Sequence, residues 1–312
     1  MSDVVIETHA LTRYFGRHCA LDGVSLRVPR GSVFALLGRN GSGKSTLIQI
    51  LLNLLTPTRG TSSVFGEDSR RLSPATLARV GYAPENHPLP ASLKVSDVHA
   101  FQRSYYRTWD DALFATVLDH FGLSPAQKIG HLSRGQRAGL AMALVMAPRP
   151  ELLVMDDPSL GLDPVARRTL LEAMLLTTRQ RGTTVFFTSH LLDDVERAAD
   201  HIAILDRSVL RVSCTMETLR SCVKRFALSV APDAAAPLLV LPGLLQSRRE
   251  GPTLLLTIAN ADEDVLRQLR TASAGQLEEV PLTLEDSVVG YLGDTKHQVS
   301  LFDRTRPSAE VA

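Results

Sequence analysis

The sequence predicts an α/β protein: a mainly parallel sheet carrying a phosphate-binding loop, followed by a small α+β domain. Three observations lead there. An apolar run, Val33-Phe34-Ala35-Leu36-Leu37, opens into Gly38-Arg39-Asn40-Gly41-Ser42-Gly43-Lys44-Ser45, which fits G-x-x-x-x-G-K-[ST] position for position. Apolar strand-like runs then alternate with helical segments as far as about residue 205, an order that implies parallel strands joined by crossovers. From about Ser221 the chemistry-bearing motifs stop and short strand and helix patterns take over.

Taken in order, residues 3–30 alternate as strands: Val4-Val5-Ile6-Glu7, then Ala20 to Val28, with Pro29-Arg30-Gly31 as a turn. Between them lies Tyr14-Phe15-Gly16. An aromatic before a loop glycine has two readings, a core residue or a stacking face for a base. Residues 33–37 form a buried strand, and the helix after the glycine loop ends near Pro57. The glycines let backbone N–H groups turn inward without Cβ clashes. The helix start adds unpaired N–H groups and partial positive charge. In such a cradle Lys44 reaches the β- and γ-phosphates, Ser45 places its hydroxyl on Mg²⁺, and Thr46 begins the helix.

Further strand and helix patterns follow: Thr61–Gly66 extended, Pro74–Arg79 helical, then Val80-Gly81-Tyr82-Ala83-Pro84-Glu85-Asn86 leaving the apolar pattern for a polar loop. From Val95 to about Pro148 the pattern is helical, marked by Val98, Phe101, Tyr105, Leu113, Val117, Leu118 and Phe121. The segment Ala138 to Ala147 is small and apolar nearly all round, hence a buried helix. Residues 151–158 form an apolar strand ending in two carboxylates, Asp156 and Asp157, and a helix runs to about Arg181, ended by Gly182. Thr183 to His190 is a strand, followed by a short helix and the strand His201–Leu205. Beyond Ser221, Phe226–Val230 and Thr253–Ile258 read as strands, Glu263–Leu269 and Leu284–Leu292 as helices, and residues 294–312 as a polar tail.

The chain has 312 residues, enough for about two domains with a sizeable core. Its 34 basic residues against 33 acidic leave a net charge of +1, so nucleic acid is not expected as the main partner. No stretch approaches about 18 consecutive apolar residues, and the N-terminus lacks the pattern of a secretory signal. The three cysteines, Cys19, Cys214 and Cys222, form no C-x-x-C and are expected as reduced thiols. A cytoplasmic location is expected, with any membrane part carried by other chains.

The stretches Phe15-Gly16, GRNGSGKST, GYAPE, LSRGQ, LVMDDP, GLDP and TSH fall in one order. That order resembles the ATP-binding subunit of ABC transporters, over about residues 4–220. The resemblance implies a P-loop NTPase cassette over residues 1–220, with a helical subdomain at about 86–150, an α+β accessory domain at 221–293 and a tail at 294–312. It implies that Phe15, Gly38, Asn40, Gly41, Ser42, Gly43, Lys44, Ser45 and Thr46 bind ATP, and that Asp156, with Ser45 and Glu85, holds Mg²⁺. It implies that Ser133, Gly135 and Gln136 at a helix start grip the γ-phosphate of ATP held by a second subunit, with Asp163 crossing that interface. Two chains, as homodimer or heterodimer, would sandwich two ATPs. His190 would contact the γ-phosphate and orient the attacking water, with Asp157, Glu85 and Lys44 as further catalytic groups. A separate integral membrane permease would receive the movement through residues near Glu85 to Leu93, with the chain peripheral on the inner face of the membrane. The short core and the Leu284-Glu285-Asp286 helix lean the resemblance to exporters.

Three positions depart from the family pattern. Asp157 stands where a glutamate general base is usual, one methylene shorter. A displacement of about 1 Å can cost on the order of 100-fold in rate, so slow or conditional hydrolysis is expected. Glu85 stands where glutamine is usual. Arg134 replaces the first signature glycine. Two other functions fit the motifs: a non-hydrolysing ATP-dependent scaffold, and a soluble ATPase acting on ribosomes or DNA. The latter usually carries tandem cassettes, a coiled-coil insertion or zinc cysteines, which this sequence does not show.

Overall fold

The computed structural model describes residues 3–230, 236–273 and 276–292, so the 294–312 tail lies outside the described residues. The chain divides into two compact units: residues 1–201 with 207–210, and residues 202–206 with 211–312.

The first unit begins with two long antiparallel strands, β1 (Val4–Phe15) and β2 (His18–Pro29), joined by a tight turn. Strand β4 (Arg59–Val64) pairs with the other edge of β1, and the short β5 (Glu67–Asp68) completes a sheet in the order β2-β1-β4-β5. A second set of strands is parallel: β3 (Val33–Leu37), β6 (Val80–Ala83), β7 (Leu152–Met155) and β8 (Thr184–Ser189), adjacent in the order β3-β8-β7-β6. Every residue of β3, β7 and β8 is buried, as expected of strands covered on both faces, and β3 and β7 are apolar throughout.

Helix α1 (Lys44–Leu51) follows β3 through the glycine loop, and α2 (Pro74–Leu77) precedes β6. Helices α3 (Val95–Arg103), α4 (Asp111–His120) and α5 (Arg134–Met146) make the helical stretch that the sequence predicts. Phe101 and Tyr105 do not serve its core: they are 63% and 71% exposed and meet edge to face at 5.1 Å. The buried side of α3 is carried by Val95 and Val98 instead. Helix α6 (Pro164–Arg181) ends at Gly182 in the left-handed conformation, the usual device for stopping a helix. Helix α7 (Leu192–Ala198) follows, and then come strands β9 (His201–Asp206) and β10 (Val209–Thr215), most of whose residues fall in the second unit.

The second unit holds α8 (Met216–Cys222) and an antiparallel sheet in the order β12-β13-β11-β14, made of β11 (Val223–Ser229), β12 (Leu244–Glu250), β13 (Thr253–Ala259) and β14 (Leu277–Val280). One face of the sheet supplies Phe226, Leu228, Leu254, Leu256 and Ile258 to a core that Val265 and Leu269 of α9 (Glu263–Ala272) close. Helix α10 (Leu284–Tyr291) has a Thr283/Asp286 capping box. The edge strands β12 and β14 lie outside the sequence expectation, while β11, β13 and the two helices match it.

Candidate functional site: a cleft around the glycine loop

The loop between β3 and α1 is shaped by backbone constraints. Gly43 sits at the N-cap of α1 with φ 109°, and a Cβ there would lie 2.2 Å from the Ala20 carbonyl oxygen. Only glycine fits both the conformation and the space. No side chain caps α1, so its first N–H groups are left for a ligand. Lys44 is buried, and its ammonium donates to the carbonyls of Gly38 at 2.8 Å and Arg39 at 3.3 Å. Burial pushes its pKa down, while Asp157, Asp156 and Glu85 pull it back up. Ser42 is buried with no partner for its hydroxyl.

The carboxylates come from the C-terminal end of β7. Asp156 and Asp157 are both buried, and the sequence signal for them was the apolar strand that runs into them. Thr188 of β8, fully buried, fixes the pair: its hydroxyl donates to Asp156 Oδ1 at 2.7 Å and accepts the Asp157 N–H at 2.8 Å. Asp157 itself takes a left-handed backbone, φ 47°, which turns the chain sharply after the strand. Its carboxylate faces His190 Nδ1, with oxygens at 2.8 and 3.0 Å.

Lys44, the two carboxylates and His190 line one cleft of about 350 Å³, whose walls include neither Gly38 nor Ser42. It brings together Phe15, Asn40, Gly41, Gly43, Lys44, Ser45, Thr46, Glu85, Asp156, Asp157 and His190. Phe15 is 45% exposed at the end of β1, so it is not a core residue. Three further lining residues, His18, Ala20 and Leu160, were not singled out in the sequence. His18 is paired with Phe15 across the β1–β2 turn, which brings it to the cleft.

Ser133, Gly135, Gln136 and Asp163 do not line this cleft. They form a second cluster. Ser133 caps α5 by accepting the Gln136 N–H, and Gln136 Oε1 accepts the Ser133 N–H in return. Asp163 caps α6 through the N–H groups of Val165 and Ala166. A Cβ on Gly135 would sit 3.1 Å from Ala166 Cβ and 3.7 Å from Asp163 Oδ2, so the two helix starts are closely apposed. Arg134 donates to Asn86 Oδ1 at 3.2 Å and lies across Gly161.

The chain matches the family model described as "ABC transporter" over residues 21–160. It is 31% identical to the daunorubicin/doxorubicin resistance ATP-binding protein of Streptomyces peucetius, an alignment spanning 90% of this chain and 89% of that one. This chain belongs to the ATP-binding proteins of ABC transporters. The bacitracin transport ATP-binding protein of Bacillus licheniformis is 29% identical, over 71% of this chain and 73% of that one. A solved ATP-binding subunit of an ABC transporter superposes with a TM-score of 0.63 at 27% identity, covering 70% of this chain and 92% of its own. A dimeric ATP-binding cassette in a post-hydrolysis state with ADP and Pi shares the fold, at a TM-score of 0.60 and 20% identity over 68% of this chain and 98% of its own. The ABC cassette is thus an ATPase that energises transport.

Proposed function

We propose that the cleft hydrolyses ATP by in-line attack of water on the γ-phosphate, and that this ABC ATPase drives export through a separate membrane permease. One observation carries the reading: a single cleft gathers Lys44, Ser45, Glu85, Asp156, Asp157 and His190 beside a helix start with no side-chain cap. Lys44, with the loop N–H groups of residues 41–46, binds the β- and γ-phosphates. The buried, unpartnered Ser42 hydroxyl and the uncapped start of α1 both fit a phosphate chain.

The donor set also fits Mg²⁺. The Ser45 hydroxyl, Asp156 and Glu85 offer oxygen ligands, few enough that a hard cation would take the rest from phosphates and water. Bound there, the ion would neutralise charge building on the phosphate oxygens. Asp157 accepts the proton of the attacking water. His190, its Nδ1 held by Asp157, keeps Nε2 for water or phosphate.

The Ser133 cluster stands outside the cleft, so we infer that it serves the nucleotide of a second ATPase subunit. Likeness to a dimeric cassette supports this. The direction of transport, we infer, is export: relatives include proteins named for drug resistance and for Nod factor export, the latter from Neorhizobium galegae at 28% identity over 91% of this chain. The purified chain is expected to release phosphate from ATP, and Lys44→Ala to stop it. Turnover unchanged in Lys44→Ala would refute the assignment of the cleft.

A further inference from the structure

This inference rests on the nucleotide reading above and concerns a residue outside every motif, Arg13. Arg13 and Phe15 are two apart on β1, so both side chains leave the same face of the strand. The guanidinium carbon of Arg13 lies 4.6 Å from the centre of the Phe15 ring. Nη1 donates to the Thr56 carbonyl at 2.9 Å, which anchors the guanidinium from the segment past the end of α1. Nε is buried with no hydrogen-bond partner, so this part of the group is dry.

The same segment grips β1 twice more. The Tyr14 N–H donates to Thr58 Oγ1 at 3.1 Å, and the Thr58 N–H donates to the Thr12 carbonyl at 2.8 Å. Phe15 meanwhile keeps 45% of its surface exposed and lines the cleft. Its ring is backed by a cation on one face and open to the cleft elsewhere.

We propose that Arg13 is a positioning residue for the nucleotide base: it backs the Phe15 ring so that the opposite face is preset for adenine. A cation over a ring face is attracted by the ring's quadrupole, more strongly where it is desolvated. That attraction removes the rotational freedom an exposed phenylalanine at a hairpin end would otherwise lose only on binding. It also draws electron density toward the guanidinium, leaving the far face a better stacking partner for an electron-rich purine. The Thr56 anchor ties the platform to the chain that leaves the phosphate-binding helix.

The test compares binding of ATP and of inorganic tripolyphosphate to the full-length chain by titration calorimetry. Arg13→Gln is expected to weaken ATP by about three- to tenfold and leave tripolyphosphate unchanged. Arg13→Met keeps the aliphatic stem without the cation, so it should show the same selective loss even if Arg13→Gln folds poorly, and Arg13→Lys should recover part of it. Equal losses for both ligands overturn the proposal, because Arg13 then only braces the Thr56 segment. No loss for either overturns it too. Phe15→Ala separates the levels: selective loss of ATP in Phe15→Ala alone sinks the role of Arg13 and spares the platform. No selective loss in Phe15→Ala sinks the platform itself.

Discussion

Gly43 and Asp157 are each held in a backbone conformation that most residues avoid, and each faces the cleft. At Gly43, any Cβ would collide with the backbone of Ala20 as well as force φ 109° on a side chain. Gly43→Ala should therefore abolish ATP binding, measured by equilibrium titration, through displacement of the loop. Asp157 poses a question of reach. Its carboxylate lies on His190 Nδ1 at 2.8 Å, so the shorter side chain is satisfied within the site. If Asp157 is the base, Asp157→Asn should lower phosphate release by about 100-fold or more, the usual worth of general base catalysis. Asp157→Glu should raise it, by carrying the carboxylate one methylene further toward the water. An unchanged rate in Asp157→Glu would mean that reach does not limit this enzyme.

Strand ends and helix starts are where the first unit fixes its chemistry. Just before β7, Glu151 pairs with Arg79 at 2.6 Å and with Arg30 at 3.0 Å, tying the approaches to β6 and β3 to the strand that carries Asp156. The Arg79 hydrogen bond first, then Arg30, hold the Glu151 carboxyl down from its ordinary 4.5 to about 2. A carboxylate with a depressed pKa stabilises the fold above its unfolded value and loses that contribution as pH falls through the folded one. Stability should therefore decline between about pH 4.5 and 2, and Glu151→Gln should flatten that decline in urea titrations across the window. Solvent screening keeps the effect small, since Glu151 is 45% exposed. At the start of α5, Ser133 caps the helix by accepting the Gln136 N–H. Ser133→Ala should cost about 1 kcal/mol in thermal unfolding, a typical loss for a helix cap.

On the scale of the whole molecule, every residue lining the cleft belongs to the first unit. Leu256→Ala, in the fully buried centre of the second unit's core, should cost about 2–5 kcal/mol in denaturation and leave ATP affinity intact. What was legible in the sequence follows the same division. Contiguous motifs announced the glycine loop, the acidic strand end and the signature helix, because each role there depends on neighbours in the chain. Thr188, His18 and Leu160 reach the cleft or its carboxylates only through the fold, so their signals were absent or ambiguous. Strands β12 and β14 escaped notice for a different reason. Both are edge strands, and Leu244–Glu250 and Leu277–Val280 carry charged residues where a central strand would alternate apolar ones. Phe101 and Tyr105 kept helical spacing but face outward, since periodicity marks a face without saying what covers it.

The split site itself is open to one decisive measurement. Asp157→Asn, which should hold ATP without turning it over, can be weighed by analytical ultracentrifugation with and without ATP and Mg²⁺. A shift from monomer to dimer on adding ATP, abolished by Ser133→Arg, is the expected result. A chain saturated with ATP that remains monomeric would contradict a site shared between Lys44 of one copy and Ser133 of another.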